Sequence, residues 1–278
     1  MRATLYAVAA AVASVLQSPQ SPPQSRDVIL ATTTSTRDTG LLDTLVPRFE
    51  RQTGYRVKVI AVGSGQALEM GRRGDADVVL SHAPEAERAL MDSNYFISRR
   101  LVMHNDFLIV GPPSDPARLR GTTDPVAALR RIADQQQPFI SRGDQSGTHK
   151  FEQKLWKIAK IMPPAAGSWY VDAGQGMGAT LQMADEKHAY TITDRGTYLA
   201  WRDKLQLAPI VQGDALFYNV YHVLELNSRN ASRINVAGGK AFADFMVAPA
   251  TQALIANFGK AKFGQSLFIP DAGKKDRW

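Results

Sequence analysis

The chain has 278 residues, 33 Lys and Arg against 26 Asp and Glu, a formal net charge of +7, and no cysteine. That length suits one domain or two lobes around a sizeable core, and 44% apolar with 21% charged residues excludes a disordered chain. The lack of cysteine excludes a disulfide scaffold, thiolate zinc or iron–sulfur sites, a cysteine nucleophile and a lipidated N-terminal cysteine.

The basic excess is diffuse. Its densest clusters are the pairs Arg72-Arg73, Arg99-Arg100, Arg130-Arg131 and Lys274-Lys275, far short of a nucleic-acid-binding tail. A mild positive field suits an anionic ligand, although many basic globules have none.

Met1–Leu16 reads as a secretory leader, with Arg2 followed by an alanine-rich apolar stretch. The polar, proline-bearing segment Gln17–Ser25 follows it. The apolar run is too short to cross a bilayer, which takes about 20 residues. Residues 1–25 are therefore expected to be leader and linker, with the mature domain starting near Asp27 and the exported protein free in a periplasm, without a membrane anchor.

Strands and helices then alternate. Val28–Ala31 is a short apolar run that suits a buried parallel strand, and it ends in Thr32-Thr33-Thr34-Ser35. A helix is predicted on Leu41, Leu42, Leu45, Val46 and Phe49, capped by Asp38 or Thr39, ending near Gly54 and kinked or shortened by Pro47. Val57–Val62 predicts a second strand, and Gly63-Ser64-Gly65 the turn into a helix through Met70. Asp77–Leu80 predicts a third strand and Ala83–Met91 a third helix. This order implies a doubly wound, mostly parallel sheet. Asp106–Val110 is a further strand, broken by Gly111-Pro112-Pro113. Beyond it lie a helix Pro125–Ala133, a strand Phe139–Ser141, a helix from about Thr148 to Ile161, and strands Ser168–Val171 and Ala189–Thr193 around a helix Ala179–Asp185. Phe217–Leu226 is long and apolar enough to return to the first sheet, and helices Ala237–Met246 and Ala250–Phe258 close the chain. The pattern predicts an α/β fold, with a second set of elements beyond Gly111 and Phe217–Leu226 returning to the first sheet.

Three loops each follow a predicted strand and precede a helix: Thr32–Ser35, Gly63–Gln66 and Ser141–His149. Ligands of open α/β sheets bind at the carboxyl ends of strands, where helix N-termini present unpaired N–H groups. With Ser and Thr hydroxyls these make a cradle for an anion, though each loop alone is also explained by ordinary capping. Arg142 adds a guanidinium fork suited to a doubly charged oxyanion, or else a surface ion pair with Asp144.

Enzyme signatures are weak or missing. The sequence has no Walker loop, GxSxG elbow or SxxK pair, and His82, His104, His149, His188 and His222 lack metal-ligand spacing. Gly174–Ala179 fits a dinucleotide fingerprint, but it falls in the middle of the second lobe with Asp194 too near.

ATTTSTRDTGLLDTLVPRFERQTGYRVKVIAVGSGQAL resembles the opening of the tungstate-binding receptors of bacterial ABC importers. So do GDADVVLSHAP, SRGDQSGTHKFEQKLW, YTITDRGTYLAW and FGKAKFGQSLFIPDAG, and the resemblance spans about Val28 to Gly273. It implies a type II periplasmic binding-protein fold, with the oxyanion in a cleft between two α/β lobes, residues 26–110 with 212–278 and residues 111–211, and an ABC permease with its ATPase as partner. It implies ligand contacts at Thr33, Ser35, Ser64, Arg142 and Thr148, and at the Gly174–Gly178 loop through Gly176 and Met177. No cofactor, metal cation or nucleic acid is implied, and a monomer is expected. The residue chemistry agrees, because tungstate is fully deprotonated at neutral pH and needs donors rather than acceptors. Molybdate has nearly the same size and charge, and composition does not separate the two. A phosphate receptor of the same fold and a secreted α/β enzyme are the remaining alternatives.

Overall fold

The computed structural model describes residues 25–144, 146–163, 169–229 and 233–276. The leader predicted over Met1–Leu16 lies outside the described residues, as does the side chain of Ser35.

Three parallel strands open the fold: β1 (Asp27–Thr33), β2 (Arg56–Val62) and β3 (Val78–Ser81). Between them run α1 (Thr34–Asp38), α2 (Leu41–Thr53) and α3 (Ser64–Arg73), and α4 (Pro84–Asp92) follows β3. The strands are short and apolar because both faces are covered. Leu41, Leu42, Leu45 and Phe49 of α2 join Val28, Leu30, Val78 and Leu80 on one side, while Ala67 and Leu68 of α3 meet Ala31 and Val79 on the other. Asp38 does not cap α2, while the Thr39 hydroxyl accepts from its first N–H, that of Leu41, at 3.3 Å. Asp38 ends α1 instead, and α2 begins after Gly40, whose φ of 77° turns the chain. Pro47 does not shorten α2, which runs on to Thr53 because its buried stripe outweighs one lost backbone bond.

The next strand, β4 (Phe96–Gly111, 16 residues), is far longer than the predicted Asp106–Val110. Arg99 and Arg100 interrupt its apolar pattern, and the fold accommodates them by pairing. Arg99 Nε meets Glu87 at 2.9 Å, and Arg100 meets Asp244 at 2.7 Å and Glu225 at 2.9 Å. This strand spans both halves of the molecule. From Phe96 to Asp106 it pairs with β9 (Tyr218–Leu226), and from Phe107 onward with β7 (Thr191–Asp194) and β8 (Ala208–Val211). All of these pairings are antiparallel, as is that of β9 with β3, so the sheets are mixed rather than mostly parallel. β10 (Ile269–Pro270) edges the first sheet.

The second half contains α5 (Pro125–Asp134), β5 (Phe139–Ser141), α6 (Gly147–Ala159), β6 (Tyr170–Asp172), α7 (Met177–Glu186) and α8 (Arg195–Trp201). β5 and β6 are parallel, and a bridge from Phe139 to Tyr190 ties them to the start of β7. Its core gathers Leu129, Ile132, Phe139, Trp156, Tyr190 and Ile192. Helices α9 (Val236–Val247), α10 (Pro249–Asn257) and α11 (Lys260–Phe263) return to the first half. Among the described residues, no helix is long and apolar enough to cross a membrane.

Candidate functional site

The loops at the carboxyl ends of β1, β2, β3, β5, β6 and β7 converge on one cavity of about 950 Å³ between the two halves. Thr33, Ser64, Arg142, Thr148, Gly176 and Met177 all line it. Ser35 stands two residues beyond Thr33 in the first turn of α1, and its side chain lies outside the described residues.

The helix starts around this cavity are of two kinds. Thr33 caps α1 by accepting from the Thr36 N–H, and Ser146 caps α6 by accepting from the His149 N–H. At these two places ordinary capping accounts for the hydroxyl. By contrast, α3 begins after Gly63 and α7 after Gly176, and neither has a side-chain cap. Their first-turn N–H groups lack an acceptor from the cap position, and the positive ends of two ten-residue helices face the cavity. Ser64 stands first in α3, and its hydroxyl makes no protein hydrogen bond among the described residues.

Arg142 turns into the cavity from the loop after β5. Gly143, with φ of 67°, makes the turn, and a Cβ there would lie 3.0 Å from the Asp172 side chain and 3.1 Å from the Gly174 nitrogen. The two glycine loops of this half are thus packed on one another. The Arg142 Nε donates to Asp144 at 2.8 Å, and Nη1 lies 3.5 Å from Thr148 Oγ1. The ion pair with Asp144 and the cleft position therefore coexist. Nη2 has no protein partner among the described residues, and Thr148, accepting from Nη1, keeps its own proton to donate. Lys150 and Lys262 add two more cations to the lining.

Carboxylates near the cavity are already engaged. Asp144 accepts from Arg142 and from the Ser146 N–H at 3.0 Å. Asp194 caps α8, taking the Thr197 N–H at 2.8 Å on one oxygen and the Thr197 hydroxyl at 2.7 Å on the other. Asp38 lines the rim, where it pairs with Arg37 and faces solvent.

A neutral polar network forms the floor, and the sequence reading overlooked it. The His82 Nδ1 donates to Asn219 Oδ1 at 2.8 Å, and Asn219 Nδ2 donates to Asn105 Oδ1 at 2.8 Å. Burial pushes the His82 imidazole below its usual range, so it is neutral and its Nε2 accepts. The Thr33 hydroxyl, 3.0 Å away, donates to that nitrogen while accepting from Thr36. Thr33 thus spends its proton inside the protein in this arrangement. Tyr221 closes the floor, its ring 4.8 Å from that of His82. The available signal was position, because His82 follows β3 as Ser64 and Arg142 follow β2 and β5. Asn219, on the distant strand β9, gave none.

Comparison with known proteins agrees with this architecture. A PBP superfamily domain model matches residues 18–250. The tungstate-binding protein TupA of Peptoclostridium acidaminophilum is 49% identical over 249 residues, 89% of this chain and 86% of that protein. The TupA of Campylobacter jejuni is 37% identical over 86% of this chain and 88% of its own length. Among solved structures, the tungstate-binding protein TupA from Desulfovibrio alaskensis aligns with a TM-score of 0.81 at 43% identity, covering 88% of this chain and 99% of that one. The tungstate ABC transporter structure from Geobacter sulfurreducens aligns with a TM-score of 0.72 at 41% identity, over 84% and 98% of the two chains. With its two-lobed α/β architecture and these relatives, the chain belongs to the PBP superfamily and, within it, to the family of the TupA tungstate-binding proteins.

Proposed function

We propose that this protein is an extracytoplasmic receptor that captures tungstate in the interlobe cleft and delivers it to an ABC permease for uptake. The observation that carries the reading is the convergence of two helix N-termini without side-chain caps, at Gly63 and Gly176, with the Arg142 guanidinium in one cavity. An oxyanion completes such a set of donors, since backbone N–H groups and a guanidinium fork both favour negative charge. Ser64 and Thr148 have hydroxyl protons to offer, and Thr33 joins them by giving up its bond to His82. Ser35, Gly176 and Met177 complete the contact set. The engaged carboxylates support a fully deprotonated anion over monohydrogen phosphate, which gains from an acceptor for its proton.

In this reading residues 26–110 with 212–278 form one lobe and 111–211 the other. The lobes close about the two crossings, near Asp106–Gly111 and Gln212–Tyr218, and the closed form docks on the permease. Met1–Leu16 directs export to the periplasm, where the receptor acts as a monomer without cofactor. The characterised relatives are binding proteins, which supports capture without catalysis.

Thermal unfolding tests the anion class. Tungstate is expected to raise the melting temperature far more than phosphate or sulfate, because ligand stabilisation grows with the logarithm of concentration over Kd. Equal shifts from all three anions would contradict the assignment.

A further inference from the structure

Glu152 is a buried carboxylate with no Lys or Arg partner among the described residues. It sits on the inner face of α6, 1% exposed, behind the loop that carries Arg142. Its Oε2 accepts from the Ser141 hydroxyl at 3.0 Å. Its Oε1 accepts from the Tyr170 hydroxyl at 2.8 Å and from Trp156 Nε1 at 3.1 Å. These donors come from the end of β5, the start of β6 and the next turn of α6. A buried charge is costly, and it is tolerated where several donors surround it. Here the donors are the segments that set the path of the loop: Ser141 pairs with Asp172 across β5 and β6, and Asp172 packs against Gly143.

We infer that Glu152 is a positioning residue for the anion site, tying the Ser141 and Tyr170 hydroxyls together so that the Arg142 guanidinium, one residue beyond Ser141, enters the cleft in a fixed direction. It touches no ligand itself, and the inference rests on the tungstate-receptor reading. The substitution Glu152→Gln keeps the shape but brings an amide NH2 against groups that now donate. Trp156 Nε1 cannot reverse, whereas the two hydroxyls can rotate.

The experiment is a double-mutant cycle on the full mature chain, combining tungstate calorimetry with hydrogen exchange of the loop over residues 141–148 without ligand. E152Q is expected to weaken tungstate binding by about tenfold or more, the scale of a hydrogen bond to a charged group. In an R142A background the same change should add less than about threefold, because the two residues act as a unit. Exchange in the loop should rise in E152Q. Tyr170→Phe, which removes a single donor and leaves the charge, should move affinity and exchange in the same directions by less. If either folded variant binds as the wild type does, or if the E152Q loss is equally large in the R142A background, the inference is overturned. Unchanged loop exchange overturns it whatever the ligand result. A wild-type chain that binds no tungstate, yet loosens its loop in E152Q, would refute the receptor reading and leave the loop-positioning role standing.

Discussion

Arg142 has partners on both sides of its role. Its Nε is neutralised by Asp144, and its outer nitrogens face the cleft beside Thr148. Ion pairing with Asp144 costs the site part of a charge but orients the fork, and oriented donors are what a tetrahedral dianion requires. Replacing Arg142 by Ala is expected to weaken tungstate binding by at least about 1.5–3 kcal/mol, read by calorimetry. Unchanged affinity would remove Arg142 from the site. Behind it, burial pushes the Glu152 carboxyl from an ordinary 4.5 up to about 7. The folded state therefore holds that proton more tightly than the unfolded chain does. The stability this group confers is full below about 4.5 and is lost as pH rises through about 7. Denaturant titrations across that interval should show the wild type losing stability relative to Glu152→Gln as pH rises, and a constant difference would contradict the shifted carboxyl. Much of this residue chemistry was legible in the sequence, since Thr33, Ser64, Arg142 and Thr148 sit in loops whose composition announces donors. His82 and Asn219 were not, because they meet across 137 residues, nor was Glu152, whose partners Ser141, Trp156 and Tyr170 lie within 18 residues but on three different elements.

At the scale of elements, the site depends on what the helices lack. α3 and α7 begin with glycine in extended conformation, φ of −67° at Gly63 and −64° at Gly176, where an Asp or Ser would usually cap. Nothing lies within 4 Å of a Cβ built at either position, so the fold leaves room for a side chain there. Gly63→Asp should therefore self-cap α3 and raise the stability of the free protein by roughly a few tenths of a kcal/mol. The same carboxylate would stand in the place of the anion and repel it, so tungstate should no longer shift the melting temperature. A variant that still responds fully to tungstate would show that the α3 N-terminus takes no part. Most strands and helices were readable from apolar runs and glycine breaks. The first half of β4 was not, because Arg99 and Arg100 look like surface residues until Glu87, Glu225 and Asp244 arrive from other elements. The short elements α8, β8, α11 and β10 carry too few residues for a periodicity to show.

At the scale of the molecule, one strand joins both halves. β4 exchanges its partner from β9 to β7 between Asp106 and Phe107, and the chain returns ahead of Tyr218. A cavity of about 950 Å³ is far larger than one tetrahedral anion, so a tight complex requires the halves to close on it. In the proposed closure the Ser64 and Gly63 side would move toward Arg142 and Gly176, expelling water and strengthening each charge-assisted bond. The α/β plan was visible in the alternation of elements and its two lobes in the family resemblance, whereas the antiparallel insertion of β4 and β9 was not, since periodicity does not reveal strand direction. In the proposed function the whole cleft serves one fully deprotonated tetrahedral dianion. Calorimetric titration of the mature chain with tungstate, repeated in saturating phosphate, decides the matter. Saturable binding of one anion per chain that phosphate leaves nearly unchanged is expected, and absence of binding, or displacement by phosphate, would contradict it.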